Sequence, residues 1–240
     1  MLPKNIVTIY GRNAVLEALK EKELRVYALH LSKSNKSSDK LNLIIQSAEK
    51  KDIEIKYHTK ERLSFISKNK KQDQGVALDI ILDNLKDISY LKELESFRVL
   101  ALDSIENPQN LGMIIRSAAA GNIDAVIVSK KGSASIVSPL TIKASVGTLF
   151  KIPIIQTNSM VKSLKELALD NVELISLDLG AKSSLFNLKC GKKSIFILGN
   201  ESRGVSKEIS QISTKSVKIE MNRGVESLNV AITASLISFL

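Results

Sequence analysis

A chain of 240 residues, 44% hydrophobic and 25% charged, carries enough apolar mass for one large domain or two modest ones. A single cysteine excludes an internal disulfide and a cysteine-based zinc cluster, and no apolar run reaches the roughly 18 residues of a spanning helix. The net charge of +10 fits a polyanionic partner and a generically basic proteome about equally, while aromatics at 4% with no tryptophan argue against a single-strand reader that works mainly by base stacking. The basic excess is spread along the chain: 18 Lys/Arg face 14 Asp/Glu over residues 1–95, and 17 face 11 over 96–240. The opening MLPKNIVTIYGRN lacks the apolar core of a signal peptide, so a cytoplasmic location is expected.

In chain order, the pattern begins with a helix (GRNAVLEALK) after Tyr10 and a strand over 26–32 (VYALHLS). A polar loop (KSNKSSDK) leads into a helix (LNLIIQSAEKK), a strand (IEIKYH) and a second helix (ERLSFISK). The basic KNKKQDQG turn then feeds VALDIIL, which closes a small α/β unit over residues 1–82. The charged stretch 83–96 reads as a helical connector. Beyond it, over 97–240, strands become almost continuously apolar: RVLALD, DAVIVS, IPIIQ, VELISLD, SIFILG and VKIEM, with helical stretches between most of them. Such strands are buried on both faces, which predicts an α/β domain with a mostly parallel sheet covered by helices. Ligands of such sheets sit beyond the carboxyl ends of the strands, so polar residues placed there are the candidates for chemistry.

Three clusters meet that condition. After RVLALD comes SIENPQNLGMIIRSAAAGN, where Pro108 forces extension and Asn110 is placed to cap a helix with Gly112 in its first turn. Arg116 follows among small and apolar residues; it either pairs with a carboxylate, reaches into a site, or snorkels to the surface. The second cluster is ILGNESRGVS, a strand ending in a glycine-bounded loop. It is not a phosphate-cradling loop: Val205 stands where the phosphate-neutralising lysine is required, and Glu201 would repel a triphosphate. The third is IEMNRGVESLNVAITASLISFL, where a strand runs to Met221, a glycine turn follows, and Glu226 to Asn229 open a last helix that is apolar on nearly every face. Ser227 and Asn229 on their own fit simple capping equally well.

Taken together, NLGxxxR, LGNExxG and the Met-x₂-Gly-VESLN segment resemble the three motifs of the SpoU family of RNA ribose 2′-O-methyltransferases, within the SPOUT class. The likeness covers most of 98–240. The resemblance implies an S-adenosylmethionine cofactor, whose cationic sulfonium tolerates the carboxylate that a triphosphate would not. It implies cofactor binding around Gly199, Ile219 and Leu228, and a catalytic pocket of Asn110, Arg116, Glu201, Ser227 and Asn229. In the family the Arg116 position is proposed as general base; a guanidinium normally stays protonated, so holding the ribose or its phosphate and stabilising the developing alkoxide is the alternative. Glu201 would orient Arg116. The N-terminal unit resembles the L30e-like RNA-binding domain of members that modify 23S ribosomal RNA, on its layout and the IYGRNAVLEAL opening. A structured RNA, ribosomal rather than transfer, and a guanosine target are implied, as are a homodimer and a C-terminal trefoil knot. Two departures stand beside the motif positions: Ser202 replaces a common glycine, and Glu220 a common proline.

The remaining candidates carry less. Cys190 lies in a basic loop without a neighbouring histidine and reads as a structural thiol. His30 and His58 sit in or at the ends of N-terminal strands and read as packed or surface residues, so no metal is expected. A transfer RNA methyltransferase and a non-catalytic RNA-binding protein of the same fold are the other readings.

Overall fold

The computed structural model describes residues 6–69 and 72–240. Part of the basic KNKKQDQG turn therefore lies outside the described residues. The N-terminal unit runs β1 (Ile6–Tyr10), α1 (Arg12–Lys20), β2 (Arg25–Ser32), α2 (Asp39–Lys50), β3 (Glu54–His58), α3 (Lys60–Ser67) and β4 (Val76–Ile81). Its four strands lie in the order β1-β4-β2-β3, with β2 and β3 parallel and β4 antiparallel to both of its neighbours. Helices α1 and α2 supply Ala14, Val15, Ala18, Leu41, Ile44 and Ala48 to one face of the sheet.

The other face carries a polar relay. His58 Nε2 and His30 Nδ1 are 3.0 Å apart, His30 Nε2 and Asp79 Oδ2 are 3.1 Å apart, and Thr8 donates to Asp79 at 2.6 Å. Ionised Asp79 can only accept, so His30 donates from Nε2 and accepts from His58 through Nδ1. Burial holds the His58 pKa below its ordinary value, with His30, Arg62, Lys56 and Lys33 adding like charge. Burial opposes ionised Asp79, but hydrogen bonds from His30 and Thr8 outweigh it and lower that pKa. A histidine with a lowered folded pKa stabilises the fold fully above the ordinary value of about 6.5; that contribution is lost as pH falls toward the folded value, because the unfolded chain takes the proton first. The melting temperature is therefore expected to fall between pH 7 and 5.5. His58→Gln keeps an N–H donor without a titration and should flatten that part of the curve in a thermal melt.

The second unit holds an eight-stranded sheet. Its elements are β5 (Leu85–Lys86), α4 (Ser89–Lys92), β6 (Phe97–Leu102), α5 (Pro108–Ala120), β7 (Ala125–Ser129), α6 (Pro139–Ser145), β8 (Ile154–Thr157) and α7 (Met160–Ala168). They continue with β9 (Glu173–Leu177), β10 (Ser183–Ser184), β11 (Lys193–Leu198), α8 (Lys207–Ile212), β12 (Lys215–Lys218) and α9 (Val230–Ser238). Every pairing in the order β10-β12-β9-β11-β6-β7-β8-β5 is parallel, as the apolar strands predict. One core gathers α5, α6 and α9 residues such as Leu111, Ile142 and Ala234; the other gathers Leu164, Leu167 and Ile209 of α7 and α8.

Segment 83–96 is helical only at Ser89–Lys92, and Leu85–Lys86 joins the sheet edge beside β8. Asn84 fixes that strand by donating to the carbonyls of Leu149 and Ile152 at 2.7 and 2.8 Å. The two units pack through α1 against α6. An ion pair between Lys151 and Glu21 at 3.1 Å ties them at the far end of α1.

Candidate active site

The strand order reverses between β6 and β11. The chain leaves β6 for α5 on one face of the sheet and leaves β11 for α8 on the other, which opens a crevice at their carboxyl ends. The loop 199–206 fills its rim. Gly199 is required there, because a Cβ would lie 2.0 Å from the carbonyl carbon of Gly204. That close approach lets Asn200 and Gly204 exchange backbone hydrogen bonds of 3.1 and 2.8 Å. The Asn200 side chain accepts from the N–H groups of Ser202 and Arg203 at 3.0 and 3.3 Å and donates to the Ser104 carbonyl at 3.0 Å. Buried Asp103 accepts from Ser206 N–H at 2.8 Å. The loop is thus tied to the end of β6 from both sides. Ser202 is outside the left-handed region, which Gly204 occupies at φ 67°, so the serine meets no backbone demand for glycine. Glu220 points to Ser184, whose hydroxyl donates to it at 3.3 Å.

Asn110 does not cap its helix. Asn107 does, accepting from Gln109 N–H at 2.9 Å, and Pro108 takes the first helical position. Asn110 then sits inside the first turn, 6% exposed, with its side chain turned to the crevice. Its Nδ2 donates to Glu201 Oε1, and its Oδ1 accepts from Asn229 Nδ2 at 3.3 Å. Asn229 caps α9, accepting from Ala231 N–H at 2.8 Å. One residue from each cluster therefore meets in a single hydrogen-bonded chain, Glu201–Asn110–Asn229.

Gly199, Glu201, Ser227 and Leu228 line one cleft of about 420 Å³, within the usual size of small-molecule sites. Ile219 and Leu228 line an adjoining cavity of about 100 Å³ that shares the Leu177, Asp178 and Leu179 wall. The strand of the third cluster ends earlier than its sequence suggests, at Lys218, and α9 starts later, at Val230. Ile219 to Asn229 is instead a turn with Arg223 and Gly224 at φ 59° and 74°, and it closes over the cleft. Arg116 stands apart. It is two turns along α5 from Asn110, exposed, with no hydrogen bond or ion pair among the described residues, and Glu201 takes Asn110 as its partner.

Sequence reasoning missed Asp178, which follows β9 and lines both cavities; its position after VELISL was the available signal. It also missed the Arg203–Glu106 ion pair, which spans an open groove above Asn110 and Glu201. Neither side chain carries a mark in the sequence. Burial raises the Cys190 thiol above its ordinary pKa, so it is a poor nucleophile.

Residues 98–239 match the model of the SpoU rRNA methylase family. The chain belongs to that family. Residues 8–83 match a second SpoU-associated model, RNA 2′-O ribose methyltransferase substrate binding. Among curated SpoU relatives, the 23S rRNA (guanosine-2′-O-)-methyltransferase RlmB of Xylella fastidiosa is 30% identical over 236 residues, spanning 96% of this chain and 94% of that one. Among solved structures, the SpoU methyltransferase AviRb of Streptomyces viridochromogenes in complex with AdoMet superposes with a TM-score of 0.71 at 20% identity. That match covers 98% of this chain and 88% of AviRb. An AdoMet-bound rRNA methyltransferase of Sinorhizobium meliloti gives 0.70 at 20% identity, over 97% and 85%. The likeness to these two structures is one of fold.

Proposed function

We propose that this SpoU-family chain methylates the 2′-hydroxyl of a ribose, a guanosine of 23S ribosomal RNA, with S-adenosylmethionine as donor. The observation that carries the reading is the Glu201–Asn110–Asn229 hydrogen-bonded chain, which meets the glycine-loop cleft at Glu201. The cleft fits the donor chemically. Its rim loop is held by backbone pairing with no lysine in it, the Leu177, Leu179, Leu198 and Leu228 side chains give apolar walls, and Glu201 and Asp178 suit a cation. Gly199, Ile219 and Leu228 would hold it, and when bound it supplies an electrophilic methyl group on a sulfonium.

The chain's own residues do the rest. Asn110 occupies one oxygen of Glu201 and leaves the other to accept from the ribose hydroxyl, drawing the proton away as the oxygen becomes nucleophilic. Asn229 fixes Asn110 while its own oxygen is held by α9, so the carboxylate is set before substrate arrives. Ser227 positions the nucleotide. Arg116 stays protonated and serves the phosphate or the developing alkoxide rather than removing a proton.

A homodimer belongs to the same reading. Met113 and Ile232 are 40% and 51% exposed on the packed pair α5 and α9, and Arg116 shares the exposed stripe of α5 with Met113. The order β10-β12-β9 at the sheet edge supports a C-terminal knot, and the mixed four-stranded sheet supports an L30e-like unit. Among the described residues no helix is long and apolar enough to cross a membrane. Preference for ribosomal over transfer RNA rests on the RlmB relative. Incubation of unmodified total RNA with methyl-labelled donor, followed by nuclease mapping, tests the function. Label on a ribose of the large ribosomal RNA is expected; label on a base, or only on transfer RNA, overturns it.

A further inference from the structure

Between the two units lies a cleft of about 550 Å³ that the three motifs do not touch. It is not separate from the catalytic groove. Glu106 forms a wall of both, and the groove's remaining walls include Asn110 and Glu201. Pro108, which lines the cleft, begins the helical turn that holds Asn110, so the cleft opens within about 5.4 Å of helix axis from the catalytic asparagine. That is the scale of one nucleotide step along a strand.

The lining has the chemistry of a base pocket. Pro108, Pro139 and Leu140 supply flat apolar walls from the catalytic unit. The N-terminal unit contributes three amides, Asn13, Gln72 and Gln74. Two of them have their oxygens engaged: Asn13 Oδ1 accepts from Lys40 at 2.6 Å, and Gln74 Oε1 accepts from Arg12 N–H at 3.1 Å. Their NH₂ groups are left to donate, which selects a ligand edge rich in acceptors. Among the described residues Lys143 is the cation of the lining, and Arg203 pairs with Glu106 from the groove side, so Lys143 is left to meet the phosphate attached to a base held between the apolar walls. The units that wall the cleft are joined where α1 packs on α6 and where Lys151 pairs with Glu21.

We infer that this interdomain cleft takes the nucleobase next to the methylated nucleotide, so that both units of the same chain read the sequence context of the target. The inference rests on the ribose-methylation reading and adds a specificity subsite to it. It gives the N-terminal unit a role in choosing the nucleotide as well as in holding the RNA. An unpaired, splayed base is the form that such a pocket accepts.

A photo-crosslinking residue placed at Leu140, which is 49% exposed, tests this in the full-length protein. Unmodified total RNA is the probe, and the unsubstituted protein with labelled donor supplies the position of the methyl group. The crosslink is expected within one or two nucleotides of the methylated ribose. A crosslinker at Leu169, 84% exposed beyond α7, should give no such adduct. Ser135→Trp, which fills the cleft from an exposed loop, should raise KM for RNA at least tenfold with donor affinity unchanged. A methylated ribose with crosslinks elsewhere, or no adduct at Leu140, or an unaltered KM in the Ser135 variant, overturns the subsite alone. Absence of ribose methylation by the unsubstituted protein overturns the functional reading beneath it.

Discussion

Glu201→Gln is expected to lower the methyl-transfer rate by about 10²–10⁴-fold, the usual worth of a positioned proton acceptor. The substituted amide can still accept from Asn110 through its oxygen. Its second atom then becomes an NH₂ group that faces the ribose hydroxyl donor to donor, so the nucleophile is no longer activated. Asn110→Ala should fall in the same direction, because it frees the carboxylate and leaves Asn229 Nδ2 without its acceptor. The two residues act as one unit, so the double variant should lose little more than the worse single one. Single-turnover transfer to ribosomal RNA reads this directly. Donor and RNA affinities, measured in parallel, should stay within a few-fold, since neither change removes the cleft. Multiplicative losses would show that Glu201 and Asn110 act separately.

Gly199→Ala is expected to abolish donor binding at ordinary concentrations, a loss on the order of 100-fold or more, about 2.7 kcal/mol. The added Cβ meets backbone atoms of Gly204 and Val205 at 2.0 and 2.1 Å, and backbone cannot step aside as a flexible side chain can. The loop must open, which breaks the Asn200–Gly204 pairing and disturbs the anchor to Ser104. Calorimetric titration with S-adenosylmethionine measures the effect, and a thermal melt without ligand separates it from global unfolding. Ser202→Gly, three residues on, is the control. The serine occupies no glycine-only conformation, so restoring the common glycine should leave affinity nearly unchanged.

The sequence makes the strands and the three clusters legible because both depend on local pattern. Fully apolar runs such as SIFIL are readable as doubly buried strands, and β11 indeed sits between β9 and β6. Glycine-bounded loops after strands are likewise visible. What escapes is decided by competition between neighbours. Asn107 and Asn110 both suit a helix cap; Pro108 at the first helical position awards the cap to Asn107 and releases Asn110 for Glu201. The apolar content of Ile219 and Met221 suggests a longer β12, yet its pairing with β9 ends at Val217 and its pairing with β10 at Lys218, and the chain turns away to close the cleft. Leu85–Lys86 is too short to register as a strand, and its place at the sheet edge depends on Asn84 hydrogen bonds to residues more than 60 positions away. Arg116 shows the limit from the other side: its spacing from Asn110 matches the motif, but a single chain leaves it in solvent.

In the proposed reading the cleft at the carboxyl ends of β9 and β11 holds the methyl donor beside the Glu201–Asn110–Asn229 chain. A crystal structure with S-adenosylhomocysteine diffused in tests it most directly. The ligand is expected in the cleft lined by Gly199 and Leu228, extending to Ile219, with its sulfur directed toward Glu201 and Ser227. A ligand bound in the interdomain cleft, or in the Gly199 cleft with its sulfur turned away from Glu201, would contradict it.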